Sequence, residues 1–112
     1  MLDESLKASI QEIITSHDVV LFMKGSAQFP MCGFSGYVVQ ALNRLRIPFH
    51  AVDVLQNSEI REGIKIFSDW PTIPQLYAKG EFIGGADIVR EMFESEELSN
   101  YFAEKNITPV AA

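Results

Sequence analysis

Residues 19–54 read VVLFMKGSAQFPMCGFSGYVVQALNRLRIPFHAVDV, and this stretch decides the fold. Residues 19–23 form a short apolar run rich in β-formers, which is typical of a strand covered on both faces. After Cys32, one helical stripe ends before Pro48 and consists of Val38, Ala41, Leu42 and Leu45. Residues 49–54 form a second β run. Strand, helix and strand at this spacing predict a βαβ unit, with parallel strands joined by a right-handed crossover.

A β-hairpin is expected farther along the chain. Residues 74–78 and 81–83 are short β runs separated by Lys79-Gly80, which is a two-residue hairpin signal. Gly84-Gly85 interrupts the second run and ends it. These two strands are therefore expected to be antiparallel to each other.

Helical patterns fill the rest of the chain. One helix opens the chain and ends near residues 17–18, Asn57 or Ser58 caps a third, and two more follow the hairpin. The predicted element order is therefore α-β-α-β-α-β-β-α-α. We expect a single domain over residues 1–112, in which residues 106–112 form a loose tail.

The composition limits the classes of partner. Nine Lys and Arg stand against 15 Asp and Glu, giving a formal net charge of −6. Nucleic acids and anionic membranes bind basic surfaces, so neither is expected as a partner. No apolar run approaches the roughly 20 residues that cross a bilayer, and the N-terminus has no secretory or transit pattern. A single free thiol fits a reducing compartment, so we expect a cytoplasmic protein or a mature form whose targeting segment is already absent.

Cys32 is the only cysteine in the chain, so it cannot form an intramolecular disulfide. It immediately precedes a helical pattern, which places its sulfur where unpaired N–H groups and the helix dipole stabilise a thiolate. Gly33 and Gly36 leave space for another molecule, and Lys24 ends the preceding strand near the same opening. A buried, inert cysteine is the alternative interpretation. The local pattern favours a reactive or metal-ligating thiol.

Two further stretches each have a structural and a functional interpretation. Residues 70–74, Trp-Pro-Thr-Ile-Pro, form a rigid turn before a strand or, with a cis proline, a loop whose Thr72-Ile73 backbone pairs with an extended peptide. Residues 84–87, Gly-Gly-Ala-Asp, form a simple turn with an N-cap Asp or a binding helix start. In the second case the N–H groups hold a carboxylate while Asp87 accepts from an ammonium. The residues alone leave both alternatives open.

The other candidate residues are assigned structural roles. Arg61 and Lys65 are interpreted as solvated positions of the third helix. Trp70 is interpreted as a packing residue. His17 and His50 have no second ligand at metal-binding spacing, so neither predicts a metal site.

Four motifs follow one another along the chain. They are Lys24-Gly25-Ser26, Cys32-Gly33-Phe34-Ser35, Trp70-Pro71-Thr72-Ile73-Pro74-Gln75-Leu76 and Gly84-Gly85-Ala86-Asp87-Ile88. Together they resemble the monothiol glutaredoxins of the CGFS type, over about residues 6–101. The resemblance implies an α/β, thioredoxin-like fold: a four-stranded mixed sheet flanked by about five helices. It also implies that the Ile73–Pro74 peptide bond is cis.

The resemblance further implies that the chain binds glutathione in an extended form. Cys32 would meet the cysteinyl thiol, and Thr72-Ile73 would pair with the tripeptide backbone. Lys24 and Arg61 match the positions that address the glycyl carboxylate, and Ala86-Asp87 match those that hold the γ-glutamyl end. Many relatives carry a Cys where this chain has Ala86. The full set expected to bind the cofactor is Lys24, Cys32, Phe34, Arg61, Thr72, Ile73, Pro74, Gly85, Ala86 and Asp87.

The family also implies a carrier function, in which Cys32 is a metal ligand. A [2Fe–2S] cluster is held by four thiolates, and the chain supplies one. A homodimer supplies two, and two bound glutathione thiols complete the set. The resemblance therefore implies storage and transfer of a dimer-bridging [2Fe–2S] cluster. It also implies apo iron–sulfur acceptor proteins and BolA-like proteins as partners.

A glutathione-dependent thiol–disulfide oxidoreductase is the alternative function, with Cys32 as the catalytic nucleophile. Two features count against efficient catalysis. The loop of residues 25–31 is longer than in the dithiol glutaredoxins, and Gly33-Phe34-Ser35 replaces their Pro-Tyr-Cys, which removes the resolving thiol. A redox-sensing binding module with no cargo is a third option.

Overall fold

Five α-helices surround a four-stranded sheet in the computed structural model, which describes residues 2–111. The helices are α1 (Glu4–Ser16), α2 (Gly33–Arg44), α3 (Ser58–Ser68), α4 (Ala86–Glu94) and α5 (Glu97–Glu104), with a short 3-10 turn at Val54–Gln56. The strands are β1 (Val19–Met23), β2 (His50–Asp53), β3 (Gln75–Ala78) and β4 (Glu81–Gly84). The predicted element order is confirmed. Within the described residues, no helix has the length and apolar character that a membrane crossing requires.

The sheet has the strand order β2-β1-β3-β4. β1 and β2 are parallel, with Val20 opposite His50, as expected for the βαβ unit. β3 is antiparallel to both β1 and β4. The α/β fold with a four-stranded mixed sheet is therefore confirmed.

The central strand β1 is buried on both faces, which explains its continuous apolar sequence. Its side chains alternate between two hydrophobic clusters, because successive residues of a strand point to opposite faces. Val19, Leu21 and Met23 join the cluster that contains residues of α2, α4 and α5. Val20 and Phe22 join the cluster that contains residues of α1 and α3. The chain thus forms helical layers on both faces of one sheet.

Local turn and cap chemistry sets the element boundaries. The Asn57 side chain accepts a hydrogen bond from the Ile60 N–H at 3.1 Å and caps α3, as predicted. Asp3 caps α1 by accepting from the Leu6 N–H at 3.2 Å. Lys79 and Gly80 both have positive φ, 52° and 79°, which matches the two-residue hairpin turn that the sequence predicts.

The C-terminal segment corrects one expectation. Ile107 is buried in the cluster on the α5 side, and its N–H donates to the Phe102 carbonyl at 2.9 Å. The Val110 N–H donates to the Arg46 carbonyl at 2.9 Å. The prediction of a loose tail is therefore wrong at these positions, because one apolar residue anchors a segment that shows no periodic pattern. Ala112 lies outside the described residues.

His17 and His50 lie next to each other, although the sequence gives no sign that they are paired. Their rings stack at a centroid distance of 4.0 Å and an interplanar angle of 13°, where α1 ends and β2 begins. Burial, followed by the charge of His17, lowers the pKa of His50 below its ordinary value. This pair lies at the edge of the sheet where β1 and β2 start, whereas Cys32 follows the opposite end of β1.

Candidate functional site

One cavity of about 450 Å³ opens where β1 ends, β3 begins and β4 ends. It brings together the predicted binding residues from four separate parts of the chain, with the exception of Arg61. The cavity is lined by Lys24, Cys32, Phe34, Lys65, Trp70, Pro71, Thr72, Ile73, Pro74, Gly85, Ala86 and Asp87. We refer to it as the main cleft.

Lys65 takes a place in the cleft that the sequence does not assign to it. Arg61 and Lys65 are one helical turn apart on α3, so they lie on the same side of that helix. Only Lys65 lines the cleft. The Arg61 Nε is buried and has no hydrogen-bond partner within residues 2–111. Trp70, interpreted from the sequence as a packing residue, also lines the cleft.

Cys32 occupies the N-cap position of α2, with extended backbone angles. Its side chain is a free, partly exposed thiol. The backbone N–H of Ser35 is the main cause that lowers the pKa of the Cys32 thiol below its ordinary value. Partial desolvation opposes the shift, and the Phe34 N–H and the Lys24 ammonium reinforce it. The start of α2 therefore favours the thiolate, as its position in the sequence predicts.

Side chains from α2 and β2 anchor the loop between Met23 and Cys32. The Lys24 N–H donates to the Ser35 hydroxyl at 3.1 Å, and the Gly25 N–H donates to the Asp53 carboxylate at 2.9 Å. The loop closes on itself through a hydrogen bond from the Met31 N–H to the Lys24 carbonyl at 2.9 Å. Ser35 is fully buried. It thus fixes Lys24 beside the thiol, which the sequence alone does not reveal.

A Ser35→Ala variant is expected to lose about 1–3 kcal/mol of unfolding free energy, because the partly buried Lys24 N–H loses its acceptor. The substitution leaves the backbone N–H of Ser35, which contributes most to the lowered pKa of the Cys32 thiol. The pKa of Cys32 in the variant should therefore stay below the ordinary value of a cysteine thiol. Urea unfolding and the pH profile of iodoacetamide alkylation measure the two effects. Ser26→Ala is the matched control, because Ser26 accepts from an exposed N–H and should cost no more than about 0.5 kcal/mol. Equal losses in both variants would contradict this assignment.

The loop before β3 forms the second wall of the cleft. The Ile73–Pro74 peptide bond is cis, as the resemblance implies. Trp70 packs near the start of α4, since a Cβ placed on Gly85 would lie 2.9 Å from the Trp70 indole nitrogen and 3.3 Å from the Pro74 carbonyl oxygen. Gly85 therefore lets the loop approach α4 closely, which is a packing reason for a glycine at this predicted binding position.

The charges of the cleft are divided between the two faces of the sheet. Lys65 belongs to α3, which packs with α1, whereas Asp87 belongs to α4, which packs with α2. The Asp87 carboxylate forms an exposed ion pair with Arg90 at 3.6 Å. An extended ligand with an anionic end and an ammonium end can therefore meet a complementary charge on each side of the thiol.

Exposed apolar side chains flank Cys32 along the chain. Phe29, Met31 and Phe34 are 78%, 70% and 63% exposed, and we call them the apolar collar. A second cavity, of about 350 Å³, extends along α2 and α4 to Arg90, and it shares four lining residues with the main cleft: Cys32, Phe34, Ala86 and Asp87. Exposed apolar patches mark surfaces that contact another molecule.

Comparison with known proteins agrees with this geometry. The glutaredoxin family model matches residues 19–83. The chain is 52% identical over 97 residues to an uncharacterized ycf64-like monothiol glutaredoxin of Synechocystis, covering 87% of this chain and 91% of that protein.

Two solved structures have the same fold. A monomeric truncated mutant of Trypanosoma brucei 1-C-Grx1 superposes with a TM-score of 0.84 at 40% identity, over 100% of this chain and 98% of that one. A buckwheat glutaredoxin solved in complex with glutathione superposes with a TM-score of 0.81 at 21% identity, over 94% of each chain. The family model, the curated relative and the shared fold lead to one assignment: the chain belongs to the monothiol glutaredoxins of the glutaredoxin family.

Proposed function

We propose that this protein binds glutathione in the main cleft and, as a homodimer, carries a [2Fe–2S] cluster that it passes to acceptor proteins. One observation carries the proposal. Cys32 is a partly exposed thiol that favours its thiolate form, it lines a charged peptide-sized cleft, and the residues of the exposed apolar collar flank it along the chain. A small thiol on one side and a protein on the other can reach it at the same time.

The main cleft fits the chemistry of glutathione. This tripeptide carries two carboxylates, one ammonium and one thiol. The ammonium groups of Lys24 and Lys65 suit a carboxylate, and Asp87 suits the ammonium on the opposite side. Thr72 and Ile73 line the same cleft, where their backbone would pair with an extended peptide. The buckwheat glutaredoxin, which shares the fold, was solved with glutathione.

The thiol inventory fits a shared cluster better than a resident metal site. Within residues 2–111, no group of three or more His, Cys, Asp or Glu side chains is placed to hold a metal ion. The chain supplies one thiolate toward the four that a [2Fe–2S] cluster needs. Two Cys32 thiolates and two glutathione thiols complete the set. The exposed collar beside Cys32 offers apolar surface to the second subunit.

The partners follow from this assignment. Apo iron–sulfur proteins would receive the cluster, and a BolA-like protein would be a second partner, both by family resemblance. The low basic content of the chain fits the expectation of no nucleic-acid partner. A reducing compartment such as the cytoplasm would keep Cys32 available.

A glutathione-dependent oxidoreductase is the second candidate, and the lowered pKa of Cys32 favours it. In that reaction the Cys32 thiolate would attack the glutathione sulfur of a mixed disulfide and release the other thiol as a thiolate. A second glutathione thiolate would then attack the Cys32–glutathione disulfide, releasing oxidised glutathione and restoring Cys32. This route consumes glutathione and needs no metal.

Anaerobic reconstitution with ferric iron, sulfide and glutathione tests the proposal. We expect a coloured dimer with cluster absorption in the visible range, and a colourless monomer when glutathione is left out. A colourless monomer under complete conditions would overturn the carrier function. Fast turnover of a small glutathione mixed disulfide by that same monomer would establish the second candidate instead.

A further inference from the structure

Gln75 lies directly behind the binding loop, at the start of β3. It follows Pro74 and is fully buried, which is unusual for a glutamine. Such an amide is costly to bury unless its donors and its acceptor are paired. Its partners therefore show what the residue is for.

All the polar atoms of the Gln75 side chain are engaged. The Nε2 amide donates to the Trp70 carbonyl at 3.2 Å and to the Thr72 carbonyl at 3.1 Å. The Oε1 atom accepts from the Tyr77 hydroxyl at 3.2 Å. Burial raises the pKa of Tyr77 to about 12, so this hydroxyl remains a donor at neutral pH. The Tyr77 hydroxyl thus fixes the Gln75 amide on one side, and the amide fixes the loop of residues 70–72 on the other.

The two donated bonds decide which backbone groups of the loop are available to a ligand. The carbonyls of Trp70 and Thr72 both turn inward to Gln75. Within residues 2–111, the N–H and the carbonyl of Ile73 form no hydrogen bond. An extended peptide in the main cleft would therefore find its antiparallel partner groups on Ile73 and not on the Thr72 carbonyl.

We propose that Gln75 is a positioning residue for glutathione: its amide fixes the loop so that the Ile73 backbone faces the cleft. This inference rests on the proposed glutathione binding. Gln75 lies outside the cleft lining, so its effect is indirect and acts through preorganisation of the loop.

Titration with reduced glutathione, followed by calorimetry, tests the inference in three proteins. Gln75→Met keeps the side-chain length but removes both donors, and we expect glutathione to bind about tenfold more weakly, or about 1.4 kcal/mol. Tyr77→Phe is the matched control. It breaks the same buried network on the other side of the amide and leaves both donated bonds, so affinity should stay within about twofold of wild type. Both variants lose a buried hydrogen bond, so stability alone does not separate them.

A second measurement reads the loop directly. Amide hydrogen exchange at Ile73 in bound and free protein should show glutathione-dependent protection in wild type and in Tyr77→Phe, and much less in Gln75→Met. If Gln75→Met does not fold, Gln75→Glu replaces it. The ionised carboxylate cannot donate, so affinity should fall as pH rises through the pKa of the introduced group, and recover partly at lower pH.

The outcomes separate the two levels of the proposal. If wild type does not bind glutathione, the proposed function fails. If wild type binds and Gln75→Met binds equally well, or if both variants weaken binding to the same extent, Gln75 has no positioning role. A tenfold loss confined to the Gln75 variants, with loss of protection at Ile73, supports it.

Discussion

A Cys32→Ser variant is expected to show none of the visible absorption of an iron–sulfur cluster after anaerobic reconstitution. Cys32 is the only cysteine, so the substitution removes every thiolate that the chain can offer. The fold should survive, because Cys32 occupies the N-cap position of α2 and the introduced hydroxyl is a preferred N-cap group. We expect unfolding free energy to stay equal or rise by about 0.5–1 kcal/mol.

Met31→Leu is the matched control for this loss. Met31 is the neighbouring sulfur and is 70% exposed, yet its thioether is not expected to hold the cluster. This variant should therefore keep the chromophore and the dimer. Iron and sulfide analysis, visible spectra and mass in solution should be compared for both variants. Retention of the cluster in Cys32→Ser, or its loss in Met31→Leu, would contradict the assignment of Cys32 as the ligand.

The sequence predicts the scaffold well because burial leaves a strong periodic signal. β1 is apolar at every position, and the structure divides those side chains between two cores. The hairpin is also predicted well, because its two-residue turn requires positive φ and the sequence places Lys79-Gly80 there. The C-terminal segment is not predicted, because Ile107 is its single buried anchor and one apolar residue cannot produce a periodic hydrophobic pattern.

The site is predicted less completely, because side-chain positions around a cavity depend on how each helix is rotated. Arg61 and Lys65 share one side of α3, and spacing alone cannot show that only Lys65 lines the cleft. Ser35 fits a core contact and a helix-start bond equally well from the sequence. The structure shows a third role, as acceptor for the Lys24 N–H eleven residues earlier in the chain. Such contacts between distant segments leave no local pattern.

These tertiary contacts explain how a fixed site forms from loops. Asp53, at the end of β2, accepts from the Gly25 N–H and from the Leu55 N–H at 3.0 Å. Ser35 holds the neighbouring residue of the same loop, and Gln75 holds the opposite wall of the cleft. Each anchor is a side chain of a helix or strand that accepts from or donates to loop backbone. The sheet and its helices therefore hold the loops of the cleft in a fixed position.

A Gly25→Ala variant is expected to lose about 2–4 kcal/mol of unfolding free energy. Gly25 has φ +92°, a conformation that residues with a Cβ rarely adopt. A Cβ there would also lie 2.5 Å from both the Met31 nitrogen and the Phe29 oxygen. Both contacts are backbone atoms, so the loop must shift as a whole. Urea unfolding measures the loss, and glutathione titration should show weaker binding, because Lys24 moves with the loop.

Gly33→Ala is the control that makes this test specific. Gly33 also adjoins the thiol, but its φ is not positive and a Cβ built on it meets no atom within 4 Å. Because Gly33 begins α2, alanine should change stability by no more than about 0.5 kcal/mol, or increase it slightly. A similar loss in both variants would mean that the whole segment tolerates no side chain, and the contacts around Gly25 would not be the cause. A large difference would show that the two glycines serve different purposes: Gly25 lets the loop close, whereas the fold itself makes no demand for a glycine at position 33.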